Sequence, residues 1–179
     1  PDLREVPLSE KEMFHGVLID VTHMQVRLPN GQTALREVVR HKGAAAVVPV
    51  DDEGNVYLVR QHRVVGDLMT LEIPAGKLDY VGEDPLACAH RELEEETGYR
   101  ASELEFLGDI YPIAAYCCEV VHLYLAKGLT RGAQHLDPDE FLDVLHVDFD
   151  EALSRVLAGE LPDSKTQIGI MKAALLRRK

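Results

Sequence analysis

Residues 76–99 read GKLDYVGEDPLACAHRELEEETGY, and this stretch decides the fold. Asp84 and Pro85 predict the start of a helix, because an acidic N-cap is followed by proline at the first helical position, where its missing N–H costs nothing. Gly98 predicts the end of the helix, since glycine readily takes the left-handed conformation that follows many helices. Apolar residues recur at spacings of three and four, which predicts a core-facing stripe of Leu86, Ala89 and Leu93.

Three carboxylates share another face of this predicted helix. Glu92, Glu95 and Glu96 lie at i, i+3 and i+4, which stacks them about one turn apart. Like charges at that spacing repel one another, whereas carboxylate oxygens are the ligands that hard divalent cations such as Mg²⁺ prefer. Charge runs are usually solvated helix faces with ion pairs, so from spacing alone both interpretations stay open.

The turn and the helix together resemble the Nudix box. That box reads glycine, five residues, glutamate, seven residues, Arg-Glu, an aliphatic residue, any residue, Glu-Glu, any residue, glycine and an aliphatic residue. Residues 83–98 match it in register, and Tyr99 takes the last position. One departure is that six residues, not five, separate Gly76 from Glu83, so the extra residue lies before the helix.

Segments on both sides of the box resemble the ADP-ribose pyrophosphatase branch of the Nudix family. These segments are residues 28–31, 36–41, 58–63, 71–78 and 159–166. The branch usually carries Ser-Pro-Gly and then a glutamate after a strand. Glu119 stands at the expected place for that glutamate, but Ala114 stands where the proline would fall, and Pro112 comes two residues early.

The resemblance implies an α/β fold, a Nudix-type α/β/α sandwich with a mixed sheet. Residues 44–50 are a continuous apolar run typical of a buried central strand, and residues 150–158 and 165–178 are predicted helices. Residues 43–179 are therefore the predicted hydrolase domain.

Residues 1–42 predict a small antiparallel sheet that needs a partner surface. Strands are predicted at residues 17–21, 24–28 and 33–39, and Asn30-Gly31 is a hairpin signal. The family branch implies a homodimer built through this sheet.

Composition and charge exclude several classes of protein. The net charge is −12 without a basic tract, which argues against a general nucleic-acid binder but not against a nucleotide substrate, because a metal ion can neutralise phosphate. No apolar run approaches the about 18 residues of a membrane span, and the N-terminus lacks a signal-peptide core, so we expect a cytoplasmic protein. The three cysteines, two of them adjacent, are expected to be reduced thiols.

The resemblance implies an enzyme that hydrolyses a nucleoside diphosphate linked to another moiety. The expected reaction is the Mg²⁺-dependent conversion of ADP-ribose to AMP and ribose 5-phosphate, with Mn²⁺ as an alternative ion. The implied metal ligands are the carbonyl of Ala75 and the carboxylates of Glu92, Glu95 and Glu96. Arg91 would orient a box glutamate, and Glu83 would support the site or hold a metal.

The general base is expected in the acidic loop at residues 136–141, as Glu140 or, second, Asp139. Glu95 and Arg91 are further catalytic candidates, and an ordinary solvated turn is the alternative for the loop. Arg40 and Arg63 are candidate contacts to the phosphate or the base of the substrate, with surface ion pairs as the alternative. Glu72 and Glu119 are further candidates for substrate or metal contacts.

Two other functions stay open at this stage. One is a hydrolase of another nucleotide sugar, such as GDP-mannose, and the other is a non-catalytic Nudix-fold module that senses a nucleotide. The complete set of box carboxylates favours an enzyme.

Overall fold

A computed structural model describes residues 2–177 of the chain. Over these residues it contains ten strands and three helices. In chain order they are β1 (Val6–His15), β2 (Asp20–Arg27), β3 (Thr33–Arg40), β4 (Ala44–Pro49), β5 (Asn55–Arg63), β6 (Leu68–Glu72), β7 (Ala75–Lys77), α1 (Pro85–Thr97), β8 (Tyr99–Ile110), β9 (Val121–Arg131), β10 (Leu142–Asp148), α2 (Phe149–Leu157) and α3 (Ser164–Arg177).

The strands form three sheets. The central sheet has the order β7-β4-β9-β8 and is mixed, because β4 runs parallel to β9 while the other pairs are antiparallel. A second, antiparallel sheet has the order β10-β5-β6. The third sheet, β1-β2-β3, is antiparallel and contains the N-terminal strands.

The central strand β4 separates two hydrophobic cores. All six of its residues are buried, and successive side chains point to opposite faces of the sheet. Ala45 and Val47 pack into a core with Leu93 of α1, whereas Ala46 and Val48 pack into a larger core that includes residues of α2 and α3. Helices therefore cover both faces of the mixed sheet, which confirms the predicted α/β/α sandwich.

Helix α1 begins and ends where the sequence predicts. The Asp84 side chain caps it by accepting a hydrogen bond from the Leu86 N–H at 3.1 Å, and Gly98 closes it with φ of 72°. The prediction that Leu86 joins the core stripe is wrong, since Leu86 is exposed. The buried positions of α1 begin only at Cys88, so the first turn extends past the core.

The N-terminal sheet differs from its predicted form. The predicted strands at residues 17–21 and 24–28 are wrong as separate elements, because a single strand, β2, contains only the last two residues of the first and four of the five residues of the second. Strand β1 was not predicted, since all ten of its residues are exposed and no alternation marks it. Its structure depends on pairing with β2, which a local pattern does not reveal.

Several smaller expectations concern the remaining elements. The predicted end of the last helix at Arg178 lies outside the described residues. The three thiols are free, as expected, with Cys88 buried and the adjacent Cys117 and Cys118 half-buried. Among residues 2–177, no helix has both the length and the apolar character needed to cross a bilayer.

The position of Leu93 between α1 and the central sheet gives the first prediction. We expect Leu93→Ala to lower the free energy of unfolding by about 2–5 kcal/mol, because Leu93 is fully buried and its removal leaves a cavity. Leu86→Ala on the same helix is the matched control and should cost less than about 1 kcal/mol. Urea unfolding measures both; equal losses in the two variants would contradict this account of the core.

Candidate active site

The site begins where strand β7 passes over helix α1. A Cβ atom built on Gly76 would lie 2.0 Å from Cδ of Glu92, so this position accepts only glycine unless the glutamate moves. One residue earlier, the Ala75 N–H donates a hydrogen bond to Oε2 of Glu96 at 2.9 Å. The strand therefore presses its backbone directly against two of the carboxylates of α1.

Glu92 and Glu96 are buried acids. Their exposed fractions are 7% and 3%. Burial is the main reason that the pKa of Glu92 rises to about 7 and the pKa of Glu96 to about 8, and the negative charge of Glu140 raises both further. Buried carboxylates that repel one another cost stability unless a positive charge neutralises them.

Arg91 supplies part of that positive charge from the same helix. Its Nη1 donates to Oε1 of Glu92 at 2.7 Å and to Oε2 of Glu95 at 3.1 Å. Its Nη2 donates to the carbonyl of Lys77 at 3.2 Å and lies 3.6 Å from Oε1 of Glu83. Arg91 therefore orients two box acids and ties the helix to the loop before it.

Glu83 holds the loop that carries the extra residue. Its Oε2 accepts a hydrogen bond from the Asp79 N–H at 2.6 Å, while Oε1 faces Arg91. The six-residue loop is thus closed from inside by a largely buried carboxylate, and the register of α1 beyond it is unchanged.

An open cleft of about 340 Å³ lies beside these acids. The residues that line it are His41, Ala44, Arg63, Ala75, Gly76, Lys77, Pro112, Glu119, Val121, Glu140, Asp163, Ser164 and Lys165. Glu140 enters it from the loop between β9 and β10, where its N–H donates to the carbonyl of Asp137 at 2.9 Å and its carboxylate accepts from the Asp137 N–H at 3.2 Å. Asp139, the second candidate base, is exposed and does not line the cleft.

Glu72 lies between two cations that line the cleft, Arg63 and Lys165. It is almost fully buried and accepts hydrogen bonds from Nε and Nη2 of Arg63 at 2.8 and 2.7 Å, from Thr70 Oγ1 at 2.6 Å, and from Nζ of Lys165. Its carboxylate is thus fully engaged by the protein. Glu72 holds Arg63 and Lys165 in place rather than offering an oxygen to a ligand.

The structure does not bring every predicted contact into the cleft. Glu119 lines it and lies 3.7 Å from Nδ1 of His41. Arg40 does not line it: its Nη2 donates to Oε1 of Glu10 at 2.7 Å in the N-terminal sheet, and it borders a separate cavity of about 470 Å³. Within one chain, Arg40 therefore forms an ion pair with Glu10 inside the N-terminal sheet.

Four ionisable residues of the cleft had no predicted role: His41, Lys77, Asp163 and Lys165. All four lie in segments that resemble the family branch, residues 36–41, 71–78 and 159–166, so the signal was present without a role attached. Lys165 joins Asp163 and the start of α3 to Glu72 of β6, a contact between distant parts of the chain that no sequence spacing indicates.

The donor set of the site suits a hard divalent cation. Glu92, Glu96 and Glu140, together with the backbone at Ala75, offer only oxygen, as Mg²⁺ requires. Within residues 2–177, however, no three acidic, histidine or cysteine side chains stand together in the geometry of a formed metal centre. Glu92 turns one oxygen to Arg91, and Glu96 turns one to the Ala75 N–H. The residues present fit the ion by chemistry and charge.

Comparisons with known proteins agree on one family. A family profile described as "NUDIX domain" matches residues 40–167. The chain is 40% identical over 183 residues to "ADP-ribose pyrophosphatase" of Bacillus subtilis, covering 99% of this chain and 98% of the relative. It is 42% identical over 168 residues to "Methanol dehydrogenase activator" of Bacillus methanolicus, covering 93% and 90%.

Two further matches are a sequence relative with a different substrate in its name and a solved structure. "GDP-mannose pyrophosphatase" of Cronobacter sakazakii is 35% identical over 147 residues, covering 73% of this chain and 76% of the relative. A solved structure described as "Crystal structure of ADP compounds hydrolase" has a TM-score of 0.80 at 21% identity and covers 99% of this chain and 97% of its own. That likeness confirms the fold.

The cations around Glu72 make stability depend on pH. Burial acts to raise the pKa of Glu72, but Arg63 and Lys165 outweigh it and lower this pKa to about 2 from 4.5. The folded state therefore binds this proton more weakly than the unfolded chain does. The stabilisation is complete above about pH 4.5 and is lost as the pH falls towards 2.

We predict that Glu72→Gln lowers the free energy of unfolding at pH 7 by about 3 kcal/mol, and that the difference from wild type shrinks steadily below pH 4.5. Denaturant unfolding at several pH values measures this. Glu103→Gln, at an exposed position of β8, is the control and should show no such trend. A Glu72→Gln deficit that is independent of pH would contradict the assignment.

Proposed function

This chain belongs to the Nudix family, and from that premise we propose that it hydrolyses the pyrophosphate bond of a nucleoside diphosphate linked to another moiety, with ADP-ribose as substrate. The products are AMP and ribose 5-phosphate. The observation that carries the proposal is the pair of buried box carboxylates, Glu92 and Glu96, beside a cleft that Glu140 enters. Relatives named ADP-ribose pyrophosphatase that align with nearly the whole chain support this substrate.

Glu92 and Glu96 are the residues we assign to hold Mg²⁺, with Glu95 and the carbonyl of Ala75 as further ligands and Mn²⁺ as a substitute ion. Nudix hydrolases generally use divalent metals, and a bound ion supplies neutralisation of the charge on the phosphate oxygens. Arg91 keeps the Glu92 and Glu95 carboxylates in place. Gly76 leaves room for the Glu92 carboxylate beneath the strand.

Glu140 is the residue we assign as general base. It borders the cleft on a loop, and its charge is close enough to raise the pKa of Glu92 and Glu96. A carboxylate in that position accepts the proton of a water molecule as the water attacks phosphorus. Asp139 is exposed outside the cleft, which favours Glu140 over it.

Arg63 places positive charge in the cleft, where about half of its side chain is exposed. A guanidinium group binds phosphate oxygens in the bound substrate, and in the reaction it also stabilises charge that develops on the leaving phosphate. Glu119 borders the same cleft and is our candidate for a contact to a ribose hydroxyl or a metal-bound group. Together these side chains would orient a diphosphate between Glu140 and the acids of α1.

Ala114 keeps a second substrate under consideration. It stands where the ADP-ribose branch carries proline, and some relatives of this chain are named GDP-mannose pyrophosphatase. A non-catalytic module that binds a nucleotide is the third outcome of the same test.

A substrate panel tests the proposal. ADP-ribose, GDP-mannose and other nucleotide sugars are incubated with the protein in Mg²⁺ or in EDTA, and nucleoside monophosphate release is measured. We expect AMP from ADP-ribose in Mg²⁺ and none in EDTA. Preferential release of GMP from GDP-mannose would show that GDP-mannose is the preferred substrate. Binding of ADP-ribose without any release would show that the protein is a nucleotide sensor rather than an enzyme.

We predict that Glu92→Gln and Glu96→Gln each lower kcat by at least about 100-fold, because each change removes a charge assigned to the metal. Both variants should stay folded by circular dichroism. Glu94→Gln is the matched control on the same helix, since Glu94 instead binds Arg100 at 2.7 Å. Full activity of either box variant, or equal loss in the control, would refute the assignment.

We propose that residues 1–42 form a dimerisation region and residues 43–179 the hydrolase domain. All ten residues of β1 are exposed in the single chain, and this sheet leaves large apolar side chains in water. These exposed residues are Val6, Leu8, Met13, Phe14 and Leu35. An apolar surface of this kind favours an interface with a second copy.

Light scattering across a dilution series measures the oligomer. We predict a molar mass of twice the chain mass of 19.9 kDa, and a shift towards the monomer for Phe14→Glu. Glu12→Gln, on the same strand, should leave the dimer intact. A wild type that is monomeric at every concentration would contradict the proposal.

A further inference from the structure

Thr166 joins helix α3 to the turn that carries Ala75. Its side chain is fully buried, and its Oγ1 donates to Oδ2 of Asp163 at 2.5 Å and accepts a hydrogen bond from the Ile73 N–H at 2.9 Å. Ile73 opens the short segment between β6 and β7. Two residues later, the Ala75 N–H holds Glu96. The Thr166 hydroxyl therefore holds the backbone at Ile73, two residues before the Ala75 N–H that binds the Glu96 carboxylate.

The same segment is held from the opposite side by the central sheet. The Val47 N–H donates to the carbonyl of Pro74 at 2.9 Å. Residues 73–75 therefore lie between β4, which also pairs with Ala75, and the first turn of α3, which holds Ile73. Loss of the Thr166 bond would release the backbone at Ile73, two residues before the N–H that holds Glu96, while β7 stays paired with β4.

Lys165, next to Thr166, makes a separate connection. Its ammonium group is largely buried and donates to Glu72 and to Oδ1 of Asp163, the latter at 2.9 Å. Glu72 in turn binds Arg63 through two hydrogen bonds, and about half of the Arg63 side chain remains exposed at the cleft. Lys165 thus fixes the carboxylate that orients Arg63.

We propose that the first turn of α3 positions the active site through two arms: Thr166 fixes the turn whose Ala75 N–H holds Glu96, and Lys165 fixes the Glu72–Arg63 pair. Asp163 anchors both arms, since it accepts hydrogen bonds from Lys165 and from Thr166. This inference rests on the proposed function, because the two arms lead to the assigned metal ligands and to an assigned phosphate contact.

The two arms should affect different kinetic constants. Glu96 and Ala75 belong to the assigned metal site, which acts on the developing charge of the transition state, so the Thr166 arm should act on kcat. Arg63 is assigned to bind phosphate in the ground state as well, so the Lys165 arm should act mainly on KM. General loosening of the fold would not separate the two constants in this way.

Four variants test the proposal, with melting temperatures recorded for each. Thr166→Val, which keeps the shape but lacks the hydroxyl, should lower kcat about 10- to 100-fold with KM unchanged. Thr166→Ser, which restores the hydroxyl, should recover most of that loss. Lys165→Met should raise KM about 10-fold with a smaller effect on kcat. Lys172→Met is the matched control: this lysine of the same helix donates to the carbonyl of Leu107 at 2.6 Å and should match wild type in both constants.

The outcomes separate this proposal from the proposed function. If the wild type turns over no substrate of the panel, the proposed function is overturned. Hydrogen exchange of the backbone amides then tests the Thr166 arm. Unchanged exchange at Ile73 and Ala75 in Thr166→Val would overturn that arm. With an active wild type, normal kcat in Thr166→Val, failure of Thr166→Ser to recover activity, or parallel changes of kcat and KM in both arms overturn the proposal. If Thr166→Val does not fold, the split in Lys165→Met decides.

Discussion

The burial of Glu92 and Glu96 between α1 and the strand at Ala75 and Gly76 is the constraint from which most of the site follows. Two ionisable carboxylates in a place with little water repel each other, and burial disfavours their charged forms. The backbone N–H of Ala75 and the guanidinium of Arg91 offset part of this cost, because they donate hydrogen bonds to Glu96 and Glu92. A divalent cation would neutralise the remaining negative charge. Without such a cation, the buried carboxylates lower the stability of the folded protein.

The rest of the fold serves this contact between strand and helix. Glycine at position 76 lets the backbone approach the Glu92 carboxylate, and β4 supports β7 by pairing with it. Leu93 anchors the opposite side of α1 in the core. From the other face of the central sheet, α3 reaches the same turn through Thr166. One short segment is thus fixed from two layers of the sandwich, and the cleft opens beside it.

Local signals made helix α1 and its acids predictable. Asp84 and Gly98 are cap residues whose effect is decided within a few residues, and the spacing of the glutamates follows from the helical repeat. Strand β1 could not be found in this way, because it is exposed throughout and exists through pairing with β2. Burial of Leu86 was wrongly expected, since the periodic pattern extends further along the helix than the core does.

The site shows the same division between near and distant contacts. Lys165 and Glu72 are 93 positions apart in sequence, so no spacing rule joins them. From sequence Glu72 is a candidate ligand contact, whereas in the structure it binds Arg63 and Lys165. The charge of Arg40 makes it a candidate phosphate contact, yet within one chain it pairs with Glu10 of the first strand. Charged side chains carry little information on their partners when those partners come from another part of the chain.

Calorimetric titration of Mn²⁺ into wild type and Glu96→Gln, without substrate, tests the central claim most directly. If the buried acids of α1 form a cation site, wild type binds the ion and Glu96→Gln weakens that binding by more than about 10-fold. Glu94→Gln should bind as wild type does. Absence of binding to wild type, or equal binding by Glu96→Gln, would contradict the claim that these acids are buried to hold a metal.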